Sequence, residues 1–360
     1  MELHDFMCPQ VIPATAALRD APGALGDYPE SLLFLCDFER DRIVWQTGEH
    51  SGGQRVLAEM PASAPGYDPS AFDTLRLGFR TADLIAQMRG LGALWFVGNM
   101  RDAVPFSPEI YFGHAANILQ YNRRRFDRTG ILWRLPQYFE PTSALGGVQP
   151  GRGEADTLAF ADKRPQVVWR GNRTGRQWLS PDRYRQLSVG GDLDSLRQAA
   201  VWQPRARAVL MSLENPGLFD CRFSITARQA RKRAPDAPMS PFEDRIRAHR
   251  WLLQYRYQLC LPGNDVATQL YWMMGSNALA LKVDSEYDVL PDYFLEPWVH
   301  YVPVAWDLSD LRDKVDWCEA NPARCRAIIE RANEAHAAIL DASRWEEAER
   351  IVLDKLSLLG

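Results

Sequence analysis

Apolar runs alternate with polar turns along this chain in a way that predicts two α/β regions and a helical tail. Residues 31–45 carry the run Leu32, Leu33, Phe34, Leu35 and Cys36, read as a buried strand near the start. From Thr81 to Leu91 the apolar positions fall at helical spacing, and Leu94 to Val97 reads as the next strand. The alternation returns less clearly through Ile131 to Trp133, so the first region is predicted to be α/β with a partly parallel sheet.

Residues 141–165 break the pattern. Pro141, Gly146, Gly147, Pro150, Gly151, Gly153 and Pro165 crowd a stretch with few periodic apolar positions, which is the composition of a linker. The boundary is therefore set at 150, with a second domain over 151–315 and helices over 316–360 that pack back on the domains. The second domain opens with the strand Gln166 to Trp169, which runs into a polar turn at Arg170, Gly171, Asn172 and Arg173. Ala208 to Leu213 is predicted as a strand, and Pro241 to Leu253 as a helix begun by Ser240 and Pro241. Then come a strand at Tyr257 to Leu261, a helix at Ala267 to Met274 and a strand at Ala278 to Val283, one strand-loop-helix-strand unit. Leu308 to Leu359 is dominated by helical patterns.

A length of 360 residues exceeds one ordinary hydrophobic core and fits two domains. The net charge of -4 argues against a surface built for nucleic acid, so any phosphate must be met by a local pocket. The amino-terminal residues have no basic stretch followed by an apolar one, and no apolar run reaches the length of a membrane span, so a cytoplasmic protein is expected. Cys8, Cys36, Cys221, Cys260, Cys318 and Cys325 are scattered without a Cys-x-x-Cys pair, which predicts reduced structural thiols and no zinc site.

The candidate chemistry lies in the second domain. After the strand ending at Leu261, Pro262 and Gly263 permit a tight turn; Asn264, Asp265, Val266, Ala267 and Thr268 lead into a helix start, where backbone amides favour an anion. The same composition also suits a helix cap. Arg170 ends a different strand, and in open parallel sheets the carboxyl ends of strands converge on the ligand crevice. Residues 205–256 hold 11 Arg or Lys against 5 Asp or Glu, either a diphosphate pocket or a solvated face; Arg256, between Tyr255 and Tyr257, is the stronger candidate among them. Asp192 and Asp194 form an Asp-x-Asp pattern without a preceding apolar strand, which favours helix capping over a metal site. His300 lies at an aromatic strand entrance, as a core histidine or a hydrogen-bonding residue near the cleft. The motifs of serine hydrolases, zinc peptidases, P-loop enzymes and dinucleotide dehydrogenases are missing.

The run from Gly263 through Asn277, followed by Glu296 to Tyr301 (Glu-Pro-Trp-Val-His-Tyr) and Asp307 to Leu311, resembles family 90 glycosyltransferases. Within that family it is most similar to bacterial lipopolysaccharide core transferases of the LpsA type. Val167 to Gly171 looks like the family's aromatic-Arg-Gly turn, and Tyr255 to Tyr257 like its Tyr-Lys-Tyr segment before the donor loop. Where the protein O-glucosyltransferases carry Ser and Arg late in that loop, this chain has Thr268 and Gln269.

The resemblance implies a GT-B-type α/β fold, two Rossmann-like domains with a cleft between them. It also implies a UDP-sugar donor on the carboxyl-terminal domain, an acceptor on the amino-terminal one, inversion at the anomeric carbon and no required cofactor or metal. Gly171, Arg173, Arg256 and residues 263–268 are then expected to bind donor together with Arg170, which also stabilises the departing diphosphate. Trp169, Lys282 and His300 are expected near the cleft. An inverting transfer needs a carboxylate base; Asp102, in a loop just after the strand Leu94 to Val97, is the choice, with Glu109 or Asp127 next. The expected acceptor is a glycan or glycolipid of the cell surface, lipopolysaccharide core or capsule, met with peripheral membrane contact at most. The alternative is a non-catalytic nucleotide- or glycan-binding protein on the same fold.

Overall fold

A computed structural model describes residues 1–12, 15–27, 33–51, 54–63, 75–100, 117–135, 155–173, 193–225, 242–245 and 249–360. The chain is mixed α/β and divides into two compact units. The first comprises Met1–Gly147, Glu286–Tyr293 and Ile339–Gly360; the second comprises Val148–Ser285 and Phe294–Ala338.

The first unit holds strands β1 (Leu33–Asp37), β2 (Arg42–Ser51), β3 (Gln54–Met60), β4 (Trp95–Asn99), β5 (Ile118–Gln120), β6 (Asn122–Arg124) and β7 (Gly130–Leu132). Six form a sheet in the order β3-β2-β1-β4-β5-β7. In it β1 runs antiparallel to both β2 and β4, while β4, β5 and β7 are parallel. Every residue of β1 and of β4 is buried, as the continuous apolar runs predict for central strands.

The second unit holds β8 (Arg164–Gly171), β9 (Phe219–Ile225), β10 (Glu243–Arg245), β11 (Tyr255–Cys260), β12 (Leu279–Val283) and, after β13 (Tyr287–Val289) of the first unit, β14 (Val302–Val304). These six run in the order β10-β9-β8-β11-β12-β14, and every neighbouring pair is parallel. Ranked by their order along the chain, they stand as 3-2-1-4-5-6, the arrangement of doubly wound sheets. One face of the sheet, with Val167, Trp169, Phe219, Cys221, Tyr257, Leu259 and Leu281, packs on apolar residues of the surrounding helices in one continuous core.

Two sequence expectations fail here. Ala208 to Leu213 is helical, inside Pro204–Glu214, because Pro204 sits in the first turn, where its missing N–H costs nothing. A short apolar run does not separate strand from helix. The Ser212 hydroxyl donates to the Ala208 carbonyl (3.2 Å) and accepts from the Cys221 amide (2.7 Å), fixing this helix to β9. Pro241 to Leu253 is not one helix: its described parts are β10 and a short helix, His249–Leu252.

The tail follows expectation, with helices Leu311–Ala320, Pro322–Leu340 and Ala342–Lys355. Among the described residues no helix is long and apolar enough to cross a membrane, and no cluster of three His, Cys, Asp or Glu stands ready for a metal ion.

Candidate functional site

Between β8 and β11 the order of strands reverses, so the chain leaves the sheet in opposite directions on the two sides of that crevice. The loops that leave the carboxyl ends of these neighbours are Gly171 to Arg173 and Leu261 to Thr268, the two loops that the sequence singles out. A third joins them after β12, where the Ser285 hydroxyl donates to the Asp265 carbonyl at 2.6 Å.

The connection between the first two is a side chain that the sequence reading missed. Arg205, in the first turn of the helix Pro204–Glu214, donates to the carbonyls of Asn172 (2.9 Å), Pro262 (3.1 Å) and Leu261 (3.3 Å). Its guanidinium lies 5.6 Å from the centre of the buried Trp169 ring. Two glycines leave room for this arrangement. A Cβ on Gly263 would stand 2.8 Å from Arg205 Nη2, and one on Gly171 would stand 2.5 Å from the Trp169 ring.

Within the longer loop, Asp265, Val266 and Ala267 are buried, Gly263 and Thr268 half-buried, and Asn264 exposed. The helix that follows, Gln269–Met273, is one residue more than a turn, and the Thr268 side chain does not cap it. The Gln269 amide turns back to the Leu259 carbonyl at 2.9 Å. A helix this short adds little dipole, so any anion at this edge would have to be met by the loop itself.

Arg170 is at this edge but is already engaged. Its Nε donates to Asp244 (3.0 Å), Nη2 to Asp220 (2.8 Å), and Nη1 to the Trp169 (2.9 Å) and Asp220 (2.6 Å) carbonyls. The Trp251 ring lies 4.7 Å from it. Asp220 also accepts from the Tyr255 hydroxyl at 2.7 Å; burial and this carboxylate push that phenol up to about 12. Arg173 pairs with the buried Glu243. Of the basic excess over 205–256, Arg228, Arg231, Lys232, Arg233 and Arg247 lie outside the described residues.

Other candidates lie elsewhere. Arg256 stands at the amino end of β11, where its Nη1 donates to both Glu319 oxygens (2.8 Å each) and its Nε and Nη2 donate to the carbonyls of Phe160 and Ala161. Six residues of strand rise separate it from Pro262, about 20 Å. His300 precedes β14 and so lies at the same amino edge; its Nδ1 accepts from the Glu296 amide at 2.9 Å, and burial holds its pKa below the usual 6.5. Lys282, near the carboxyl end of β12, is buried with its ammonium 4.9 Å from the Tyr301 ring centre. Asp102, Glu109 and Asp192 lie outside the described residues. Asp194 is in the first turn of Leu193–Ala200, paired with Arg197 at 3.2 Å. Asp127 is spent on a turn, accepting from the Thr129 amide and hydroxyl and the Gly130 amide.

Residues 198–342 match the family model of glycosyl transferase family 90. The matched segment takes in Arg205, the Gly263 loop and Glu296 to Tyr301, and begins after Arg170 and Gly171. The chain is 38% identical over 180 residues to O-glucosyltransferase LpsA of Dichelobacter nodosus, covering 50% of this chain and 45% of that protein. It is 32% identical over 128 residues to protein O-glucosyltransferase 3 of Homo sapiens, 35% of this chain and 24% of that one. An uncharacterized protein, 035R, of Invertebrate iridescent virus 3 is 30% identical over 184 residues, 51% of this chain and 16% of the viral protein. The matched stretch spans less than half the length of each of these relatives.

Proposed function

We propose that the protein is an inverting glycosyltransferase of the GT-B class that moves a hexose or pentose from a UDP-sugar to a hydroxyl of a cell-surface glycan. The observation that carries this reading is the crevice between β8 and β11, where two loops of an all-parallel sheet are joined by Arg205 and lie next to or within the family 90 segment. Ligands of doubly wound sheets bind at this position.

In this reading the diphosphate rests on the amides of residues 263–268, with Gly171 and Arg173 across the crevice. The departing phosphate gains charge as the sugar leaves, and preorganised amides stabilise that charge without a metal. Arg170 contributes less than a free arginine would, because Asp220 and Asp244 offset its charge. Its larger part is to hold β8, β9 and β10 together beneath the loops. The acceptor is assigned to the first unit with Asp102 as base. Lipopolysaccharide core or capsule is the acceptor class, supported by the likeness to LpsA, and the reaction is placed at the cytoplasmic face of a membrane with peripheral contact.

The test is a UDP-release screen of the purified chain with UDP-glucose, UDP-galactose, UDP-xylose and UDP-N-acetylglucosamine, each with and without EDTA. Release with one or two donors, unchanged by EDTA, is expected. Loss of release in EDTA would return Asp192 and Asp194 to consideration as metal ligands. The engagement of Arg170 by two carboxylates favours one other reading, a non-catalytic nucleotide-binding protein. UDP binding without release from any donor, with acceptor glycans present, would select it.

A further inference from the structure

Neither Gly171 nor Gly263 has a positive φ, so neither is glycine for the sake of backbone conformation. Each is glycine for space. Gly171 lets the Trp169 ring lie against the turn after β8, Trp169 gives Arg205 a surface to lie over, and Gly263 lets the Arg205 fork close on the turn after β11. Gly171, Trp169, Arg205 and Gly263 thus form one stack across the crevice. Three carbonyls from the two loops accept from the single guanidinium.

We propose that Arg205 is the positioning residue of the donor site, fixing the separation of the two loops so that both sets of backbone groups act on one diphosphate. This rests on the reading of the crevice as a nucleotide-sugar site. Arg205 acts through the loops, by directing their carbonyls toward itself and so setting the aim of the amides between them. The fork is the essential feature, since a planar guanidinium spans acceptors on two loops where an ammonium serves as a point donor.

The test uses the full chain and four variants: Arg205→Lys, Arg205→Ala, Gly263→Ala and the Arg205→Ala/Gly263→Ala double. Two quantities are read, the dissociation constant for UDP by calorimetry and amide exchange in peptides over 171–173 and 261–268. Arg205→Ala should weaken UDP by about tenfold or more, the scale of a lost charged hydrogen-bonding group, and speed exchange in both loops while peptides over 311–340 stay unchanged. Arg205→Lys should fall close to Arg205→Ala. Gly263→Ala should weaken UDP less, and in the Arg205→Ala background should add nothing, because the atom it displaces is gone. Wild-type affinity in Arg205→Lys, or a full additional loss in the double variant, would overturn the proposal. Should Arg205→Ala not fold, Arg205→Lys and Gly263→Ala decide by exchange and affinity alone. Failure of the wild type to bind UDP removes the donor reading instead; the exchange comparison still decides whether Arg205 joins the loops.

Discussion

The two sheets rank their strands alike but run them differently. In each, the first strand of the unit lies beside the fourth, β1 beside β4 and β8 beside β11. In the first sheet that central pair is antiparallel, so a carboxyl end on one side faces an amino end on the other. In the second it is parallel, and two loops leave the same edge with their last carbonyls close enough for one arginine to bind both. The difference is one of strand direction alone. A parallel central pair sends two strand-ending turns to one edge, and the loops that carry the resemblance leave that edge in the second unit.

The largest expected effects test whether the two units stand apart. Lys163 and Asp156 are a buried pair, with side-chain exposures of 0% and 4%, at the amino edge of the second sheet; Asp156 also accepts from the Asn277 amide before β12. Asp156→Ala leaves the lysine buried without its carboxylate and should cost about 3–5 kcal/mol. Glu349, fully buried and bidentate to Arg134, forms a buried pair of the first unit, and Glu349→Ala at pH 8 should cost a similar amount. Hydrogen exchange should show each loss confined to its own unit. Equal loosening of both sheets in either variant would remove the division into units.

Next come two glycines under the same constraint. A Cβ on Gly98 would stand 2.5 Å from the Phe34 ring in the first sheet, as one on Gly171 would from Trp169 in the second. Either alanine should cost about 1–3 kcal/mol by overpacking. Urea unfolding is expected to give similar losses, while UDP binding suffers in Gly171→Ala alone. An equal loss of binding in Gly98→Ala would erase the contrast between the sheets.

The smallest effect is a pH dependence in the second unit. His336 packs its ring where a Cβ on Gly275 would stand 2.7 Å away, its Nε2 is buried without a hydrogen-bond partner, and burial lowers its pKa from 6.5. The unfolded chain therefore binds a proton that the folded one resists. The stability from neutral His336 is complete above pH 6.5 and is lost as pH falls below it. Denaturation between pH 7.5 and 5 should show a shallower decline in His336→Gln than in the wild type; parallel slopes would contradict this.

What the sequence made legible follows the range of each interaction. The strands at 255–260 and 279–283 and the three tail helices are local periodic signals, and they stand where the pattern puts them. Ala208 to Leu213 misled because Ala, Leu and Met serve a helix as well as a short apolar run serves a strand. The Gly263 loop and Arg170 stand out locally in the sequence, but the acids that engage Arg170 lie 50 and 74 residues away. Arg205 is 33 residues from Asn172 and 57 from Pro262, and in the sequence it is only one cation of the basic excess over 205–256, with Pro204 beside it. Arg256 and His300 carry a different lesson. Arg256 is the second residue of β11 and His300 precedes β14, and in a parallel sheet that alone places them at the amino edge, opposite the loops.

The central claim is that a UDP-sugar sits at the carboxyl edge of the second sheet, between β8 and β11. Hydrogen exchange of the full chain with and without saturating UDP tests it most directly. The account expects slowed exchange in peptides over 169–173 and 261–269, and none over the amino-edge residues 254–257 and 296–301. Protection confined to the first unit, or to that amino edge, would contradict it.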